Sequence, residues 1–307
     1  MTQKRVSVAK WHRVLGELRS MTLAIPGARG LFSHIQAALQ SADTNKCIRA
    51  SRHVHATLED FRWLASTLDE RPTRLQELVA TAPSAYGTTD AAGIGIGGVL
   101  LPLHRLLHGA IPMASHPIVW RSCFESDITN DLITFENPWG RTTNSDLELA
   151  ATMVQHDVIA TNYDVHERTI HTAMDNMLTL FWHRQGSIST NTTRAYLLCM
   201  QALHQRFHRY VPMHSYLPGL LNHMGNDASR CWDLFDDELL THFNLSYPQL
   251  MPWQIFHPAS ALLSAVTSML CRKRLPPESF LIKPLPLATN GIDGCTSAEC
   301  SHWILPS

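Results

Sequence analysis

YGTTDAAGIGIGGVLLPL, Tyr86 to Leu103, is the stretch on which the fold turns. It reads as a strand, a tight glycine-rich turn and a second strand, with Asp90 at the end of the first strand. Gly93, Gly95 and Gly98 also satisfy the dinucleotide pattern G-x-G-x-x-G. A dinucleotide site needs that loop to open a helix whose N-terminus faces pyrophosphate. Here VLLPL follows, which reads as strand, and no acidic residue stands about 20 positions on. The glycines therefore predict a hairpin turn beside Asp90.

Outward from the hairpin, HPIVWRSCF (116–124) is a third strand by its β-branched and aromatic content. Thr143-Asn144-Ser145 caps a helix, DLELAATMVQHDVIA, with Leu147, Ala150, Ala151 and Val154 at helical spacing. RTIHTAMD (168–175) is a fourth strand, NMLTLFWHRQG a helix ending at Gly186, and TTRAYLLCMQALHQRFHRY another helix. VPMHSYLPG is a fifth strand and LLNHMGNDASR a last helix. This order predicts a mixed α/β domain: a five-stranded sheet flanked by helices.

Residues 8–39 carry a helical period broken at Ile25-Pro26-Gly27, and Thr57 with Asp60 resembles a helix start continued by FRWLASTLDE. A short linker helix is expected near Leu75 to Val79. After Cys231, DDELLTHFNL is helical and PPESFLIKPLPLATNG is Pro-rich, predicting a loose tail. The expected divisions are a helical unit over 1–79, the α/β domain over 80–232, and a tail or linker over 233–307.

The seven cysteines are odd in number and scattered, which suits free thiols and an intracellular setting, cytoplasm or nucleus. No apolar run reaches the roughly 18 residues of a membrane span, so no membrane role is expected. Residues 1–75 carry 12 Lys/Arg against 6 Asp/Glu, whereas residues 76–232 carry 9 against 13. A basic segment beside an acidic domain can steer a polyanion, although a surplus of this size is also ordinary surface variation. His53 and His55 read as strand or loop, and Cys295, Cys300 and His302 form a loose cluster in the tail. Neither group has a second ligand pair at zinc-finger spacing.

Acidic residues fall at the ends of these elements. Asp90 ends a strand, Glu148 opens a helix, Asp175 ends another strand, and Asn226-Asp227 stands near the last helix. Two-metal phosphodiester hydrolysis needs hard oxygen ligands converging from rigid positions. Singly, each residue reads as a turn former or a helix-start charge. The ordered series carries the chemistry.

That series resembles the end of a retrotransposon reverse transcriptase followed by its ribonuclease H domain. TTDAAGIGIGG is similar to the first ribonuclease H motif, NSDLELAA to the second and IHTAMDNMLTLFW to the third. YLPGLLNHMGNDASR is similar to the closing motif, Pro-Gly-x-x-Asn-x-x-Ala-Asp followed by Ser-Arg. Upstream, VLGELRSMTLAIPGARGLFSHIQAAL is similar to the segment connecting polymerase to ribonuclease H. The resemblance covers residues 6 to 260 and implies a ribonuclease H-like fold. It also implies Mg²⁺ or Mn²⁺ held by Asp90, Glu148, Asp175 and Asp227, with Asn226 beside them. The implied activity is hydrolysis of the RNA strand of an RNA–DNA hybrid, and the implied partner is the remainder of a reverse transcriptase polyprotein. Arg194, Arg206, Arg209 and Trp139 are the candidate nucleic-acid contacts.

Two departures stand out. Ungapped alignment of the closing motif places Gly225-Asn226 where the family has Ala-Asp, leaving Asp227 one residue late, about 100° around a helix. No Tyr-x-Asp-Asp polymerase motif occurs in the chain. The alternative is accordingly an inactive remnant that retains a nucleic-acid-binding fold. An integrase-like relative of the same fold is disfavoured by the polymerase-connecting segment and by a third acidic residue that ends a strand.

Overall fold

A computed structural model describes residues 5–44, 46–66, 68, 71–102, 116–186 and 193–271 of the 307 in the chain. The Pro-rich stretch and the Cys295, Cys300, His302 cluster lie outside the described residues.

The N-terminal unit pairs two short antiparallel strands, β1 (Arg5–Ser7) and β2 (Cys47–Arg49), around three helices. Ser7 caps α1 (Val8–Met21) by accepting from the Lys10 amide, and the chain turns at Gly27 with φ 76° before α2 (Phe32–Gln40). Helix α3 (Arg52–Ser66) starts five residues before the expected Thr57. Ser51 Oγ accepts from the Val54 amide at 3.3 Å, while the Thr57 hydroxyl donates back to His53 O inside the helix. His53 and His55 are thus helical residues, not strand or loop. Trp11, Leu15, Leu31, Phe32, Ile35, Phe61 and Leu64 form the core of this unit.

Beyond a single 3₁₀ turn at Leu75–Glu77, the expected hairpin appears as β3 (Ala85–Ala91) and β4 (Gly95–Pro102), antiparallel, with Asp90 opposite Gly97. β5 (Ile118–Cys123) continues the antiparallel run. A short helix, α4 (Ser126–Thr129), and a loop lead to α5 (Asn144–Asn162), capped by Thr143. β6 (Thr169–Met174) then pairs parallel with β3. Helices α6 (Met177–Gln185) and α7 (Thr193–His208) follow, and β7 (Val211–Tyr216) pairs parallel with β6. After α8 (His223–Arg230), α9 (Asp236–Ser246) leads to β8 (Gln254–Phe256), which lies parallel to β5, and then to α10 (Ser260–Leu270). The result is one mixed six-stranded sheet in the order β7-β6-β3-β4-β5-β8.

Successive strand residues point to opposite faces. Ile96, Leu100, Ile118 and Trp120 therefore join the core built with α5, α7 and α10, while Val99 and Val119 meet Ala228, Leu239, Phe243 and Trp253 on the other face. Helix α5 lies so deep that its residues from Asp146 to Ala160 are all buried. The sequence placed the domain's end at residue 232, but the sheet and the core continue beyond it. β8 extends the sheet edge, and Leu262, Val266 and Met269 of α10 fill the main core. Among the described residues no helix is long and apolar enough to cross a membrane.

Candidate metal centre

β3 delivers Asp90 one residue before its end, buried at 1% exposure. The reciprocal hydrogen bonds of Thr143 and Asp146 fix the start of α5, so that Glu148 emerges in its second turn. Asp175 follows β6 directly, held there by Asn176. The Asn176 side chain accepts from the Leu178 and Thr179 amides to cap α6 and donates to Ser145 Oγ at 3.1 Å. Parallel pairing of β3 with β6 sets the ends of the two strands side by side. One carboxylate oxygen each from Asp90, Glu148 and Asp175 lies within 4.8 Å of the others.

Three carboxylates this close repel one another. Glu148 is pushed well above its ordinary pKa by burial first, then by the charges of Asp90 and Asp175. Burial and Asp90 also raise Asp175. Glu148 Oε1 accepts from the Ala91 amide at 3.3 Å, whereas Oε2 is buried with no hydrogen-bond partner among the described residues. A buried carboxylate with an unpartnered oxygen, set beside two more carboxylates, is what a hard divalent cation satisfies. The donor set is all oxygen, which suits Mg²⁺ or Mn²⁺ better than a thiolate- or imidazole-preferring ion.

Helix α8 supplies the remaining contacts. The Ser229 hydroxyl donates to Asp90 Oδ2, and Arg230 donates from Nε (3.1 Å) and Nη2 (3.4 Å) to the two oxygens of the same carboxylate. Arg230 is still more than half exposed, so the pair sits at the mouth of the cluster. The Asn222 side chain donates to Thr89 O at 2.8 Å, tying the approach to α8 against β3. In the sequence, Asn222, Ser229 and Arg230 stand out only as positions of the closing motif; a polar residue before a helix gives no sign of which strand it will hold.

Asn226 and Asp227 part company. Asn226 donates to Gly219 O at 2.9 Å, and its Oδ1 is buried without a partner among the described residues. Gly219 lies against Asp175, since a Cβ there would stand 2.8 Å from Asp175 Oδ2. Asn226 therefore borders the cluster. Asp227 does not join it. Its Oδ2 accepts from Tyr247 at 2.7 Å and lies 2.6 Å from His242 Nε2, on the side of α8 that faces α9. One residue along a helix turns the side chain by about 100°, and no local unwinding of α8 cancels that turn.

The expected nucleic-acid contacts fare unevenly. Arg206 and Arg209 are buried, bound to Glu77, and Arg209 also to Glu167, so neither presents a guanidinium to a ligand. Arg194 lies over the Trp182 ring and pairs with the buried Asp146 at 2.8 Å, bracing the start of α5. Trp139 is 90% exposed in the loop before α5, so its ring is open to a ligand. Near the closing segment, His214 stacks on His183 and lies 3.3 Å from His156 Nε2, while His223 is exposed at the start of α8.

No protein-family model matches the chain, and no curated protein matches it.

Proposed function

We propose that this chain is a divalent-metal-dependent endonuclease of ribonuclease H type that cuts the RNA strand of an RNA–DNA hybrid, as part of a retroelement reverse transcriptase. The observation that carries the reading is the convergence of Asp90, Glu148 and Asp175 within 4.8 Å at adjoining strand ends and a helix start. The strand order gives secondary support: an antiparallel run of three with parallel strands on the Asp175 side agrees with a ribonuclease H-like sheet.

In this reading Asp90, Glu148 and Asp175 hold Mg²⁺ or Mn²⁺. Bound ions of this kind supply activation of the attacking water and stabilisation of the leaving oxygen. Asp90, the most central ligand by its contacts, is oriented by Ser229 and Arg230. Arg230, exposed at the mouth, is the guanidinium that faces an incoming phosphate. The loop before α5 exposes Phe135 and Trp139 at 98% and 90%, which offers aromatic faces to the substrate. Hybrid recognition then rests on duplex shape and 2′-hydroxyls.

The test is cleavage of a labelled hybrid at millimolar Mg²⁺ or Mn²⁺. Wild-type protein is expected to cut, and Asp175→Asn to lose activity by at least about a hundredfold, the scale on which one electrostatic contact to the transition state counts. Absence of wild-type cleavage under both ions overturns the reading.

A second reading, a silent remnant, is favoured by one observation: the fourth position holds a neutral amide, and the nearby Asp227 is committed to His242 and Tyr247. Asn226→Asp separates the two. Activity that appears only in this variant marks a decayed enzyme; activity already present in wild type shows that three carboxylates suffice.

A further inference from the structure

Helix α5 carries a second group of ligands. Nine residues beyond Glu148, about 13 Å along the axis, Asp157 meets α7, where His204 and His208 stand four residues apart. The three are 4%, 0% and 8% exposed. One ligand atom from each lies within 4.8 Å of the others. His204 Nε2 is 3.3 Å from Asp157 Oδ1, and the two imidazole rings are 4.4 Å apart. Tetrahedral zinc with bonds near 2.0–2.1 Å holds neighbouring ligand atoms roughly 3.3 Å apart. The His204–Asp157 separation already has that value, and His208, within 4.8 Å of both, needs a closure of at most about 1.5 Å. Two imidazoles with one carboxylate select a borderline transition-metal dication over Mg²⁺, the reverse of the all-oxygen cluster at the other end of the helix.

We propose that Asp157, His204 and His208 form a buried site for a zinc-type dication that pins α5 to α7. This site is independent of the nuclease reading.

Tyr210 makes the arrangement workable. Its hydroxyl is fully buried and lies 3.0 Å from His204 Nδ1. Without metal, the Tyr210 O–H donates to Nδ1 and the Nε2–H donates to Asp157. With a dication on Nε2, the imidazole proton resides on Nδ1 and donates to the Tyr210 oxygen, which accepts as readily as it donates. An outer partner that fixes the tautomer and orientation of a ligating histidine is the usual support of such sites. Arg71 works against the cation: its guanidinium donates to the Phe207 carbonyl at 3.0 Å, next to His208.

The test is calorimetric titration of Zn²⁺ into the metal-free full chain, alongside thermal melts. One saturable equivalent and a raised Tm are expected in wild type and in an Asp90→Asn/Asp175→Asn variant, which disables the acidic cluster. Asp157→Asn and His208→Gln should each weaken binding at least tenfold, and Arg71→Gln should tighten it. The proposal is overturned if wild type shows no saturable site, or if Asp157→Asn and His208→Gln bind as wild type does. It is also overturned if binding disappears in the double variant, which would put the zinc on the acidic cluster. Absence of a saturable wild-type site overturns the proposal whether or not a core variant folds.

Discussion

Glu148 shows most sharply what the acidic cluster costs. It is buried, one of its oxygens has no partner, and two carboxylates lie within 4.8 Å. Two unit charges at that distance repel by ~3 kcal/mol at an effective dielectric of about 20. Glu148→Gln keeps an oxygen for the Ala91 amide while removing the charge. In EDTA this variant should therefore be more stable than wild type by about 1–3 kcal/mol, read as a rise in Tm or in the denaturation midpoint. Millimolar Mg²⁺ should raise the Tm of wild type and leave the variant nearly unmoved. A variant less stable than wild type in EDTA would show that the charge is already compensated, with Arg230 on Asp90 the group to credit. At this scale the sequence was legible wherever a residue ends an element. Asp90, Glu148 and Asp175 were readable because strand ends and helix starts can be placed from pattern alone. The helical phase that takes Asp227 about 100° off the Asn226 position was legible too, but its partners His242 and Tyr247 were not, because they come from α9 and the turn after it. Asn226 borders the cluster through Gly219, with a neutral amide in place of a carboxylate.

Among the elements, α8 against β4 is the contact that couples packing to the site. β4 runs so close to the helix that a Cβ on Gly97 would stand 2.4 Å from the Ala228 carbonyl carbon and 2.6 Å from the Ser229 nitrogen. Both atoms belong to backbone, so relief requires the helix to move. That helix carries Ser229 and Arg230, and Gly97 sits opposite Asp90 in the sheet register. Gly97→Ala should destabilise the fold by about 1–3 kcal/mol, the usual cost of overpacking. It should also lower hybrid cleavage in the fraction that stays folded, because the two groups that orient Asp90 are displaced. Unchanged activity per folded molecule would separate α8 from the chemistry. The sequence predicted the five main strands because each has β-branched or glycine-turn signals. It missed β8 because Gln254–Phe256 is too short to show a period, and missed the packing of α10 because an apolar helix beside a Pro-rich run reads as a tail. Thr57 was mistaken for a helix start because Ser51, the residue that caps, has no acidic residue three places on.

Across the whole molecule, the N-terminal unit is joined to the sheet domain by apolar contact and by buried charge. Ala202 and Leu203 of α7 belong to the N-terminal core, so one helix serves both units. Beside them Glu77 accepts from Arg209, from Arg206 at 3.4 Å and from the Arg74 amide at 3.0 Å, while Arg206 also donates to Arg71 O and Thr73 Oγ1. Arg206 and Arg209 had looked like phosphate contacts, since basic residues late in a helix usually face water. Nothing in the local pattern reveals a carboxylate some 130 residues upstream. A buried ion pair adds little over an apolar replacement, but removing one partner strands the other. Glu77→Ala leaves two guanidinium groups buried without their shared acceptor, and it should cost about 3–5 kcal/mol, seen as a lower denaturation midpoint. The pH dependence gives an independent check. Burial pushes the Glu77 carboxyl up, but the Arg209 hydrogen bond, the Arg74 amide and the charges of Arg209 and Arg206 outweigh it, so its pKa lies below the ordinary 4.5. A lowered carboxylate contributes stability that is fully present above the unfolded value and is lost as pH falls through the folded one. The gap between wild type and Glu77→Ala should therefore hold steady from neutral pH down to about pH 5 and narrow below 4.5. A gap that stays constant to pH 3 would mean that lost packing, and not the charge of Glu77, joins the two units.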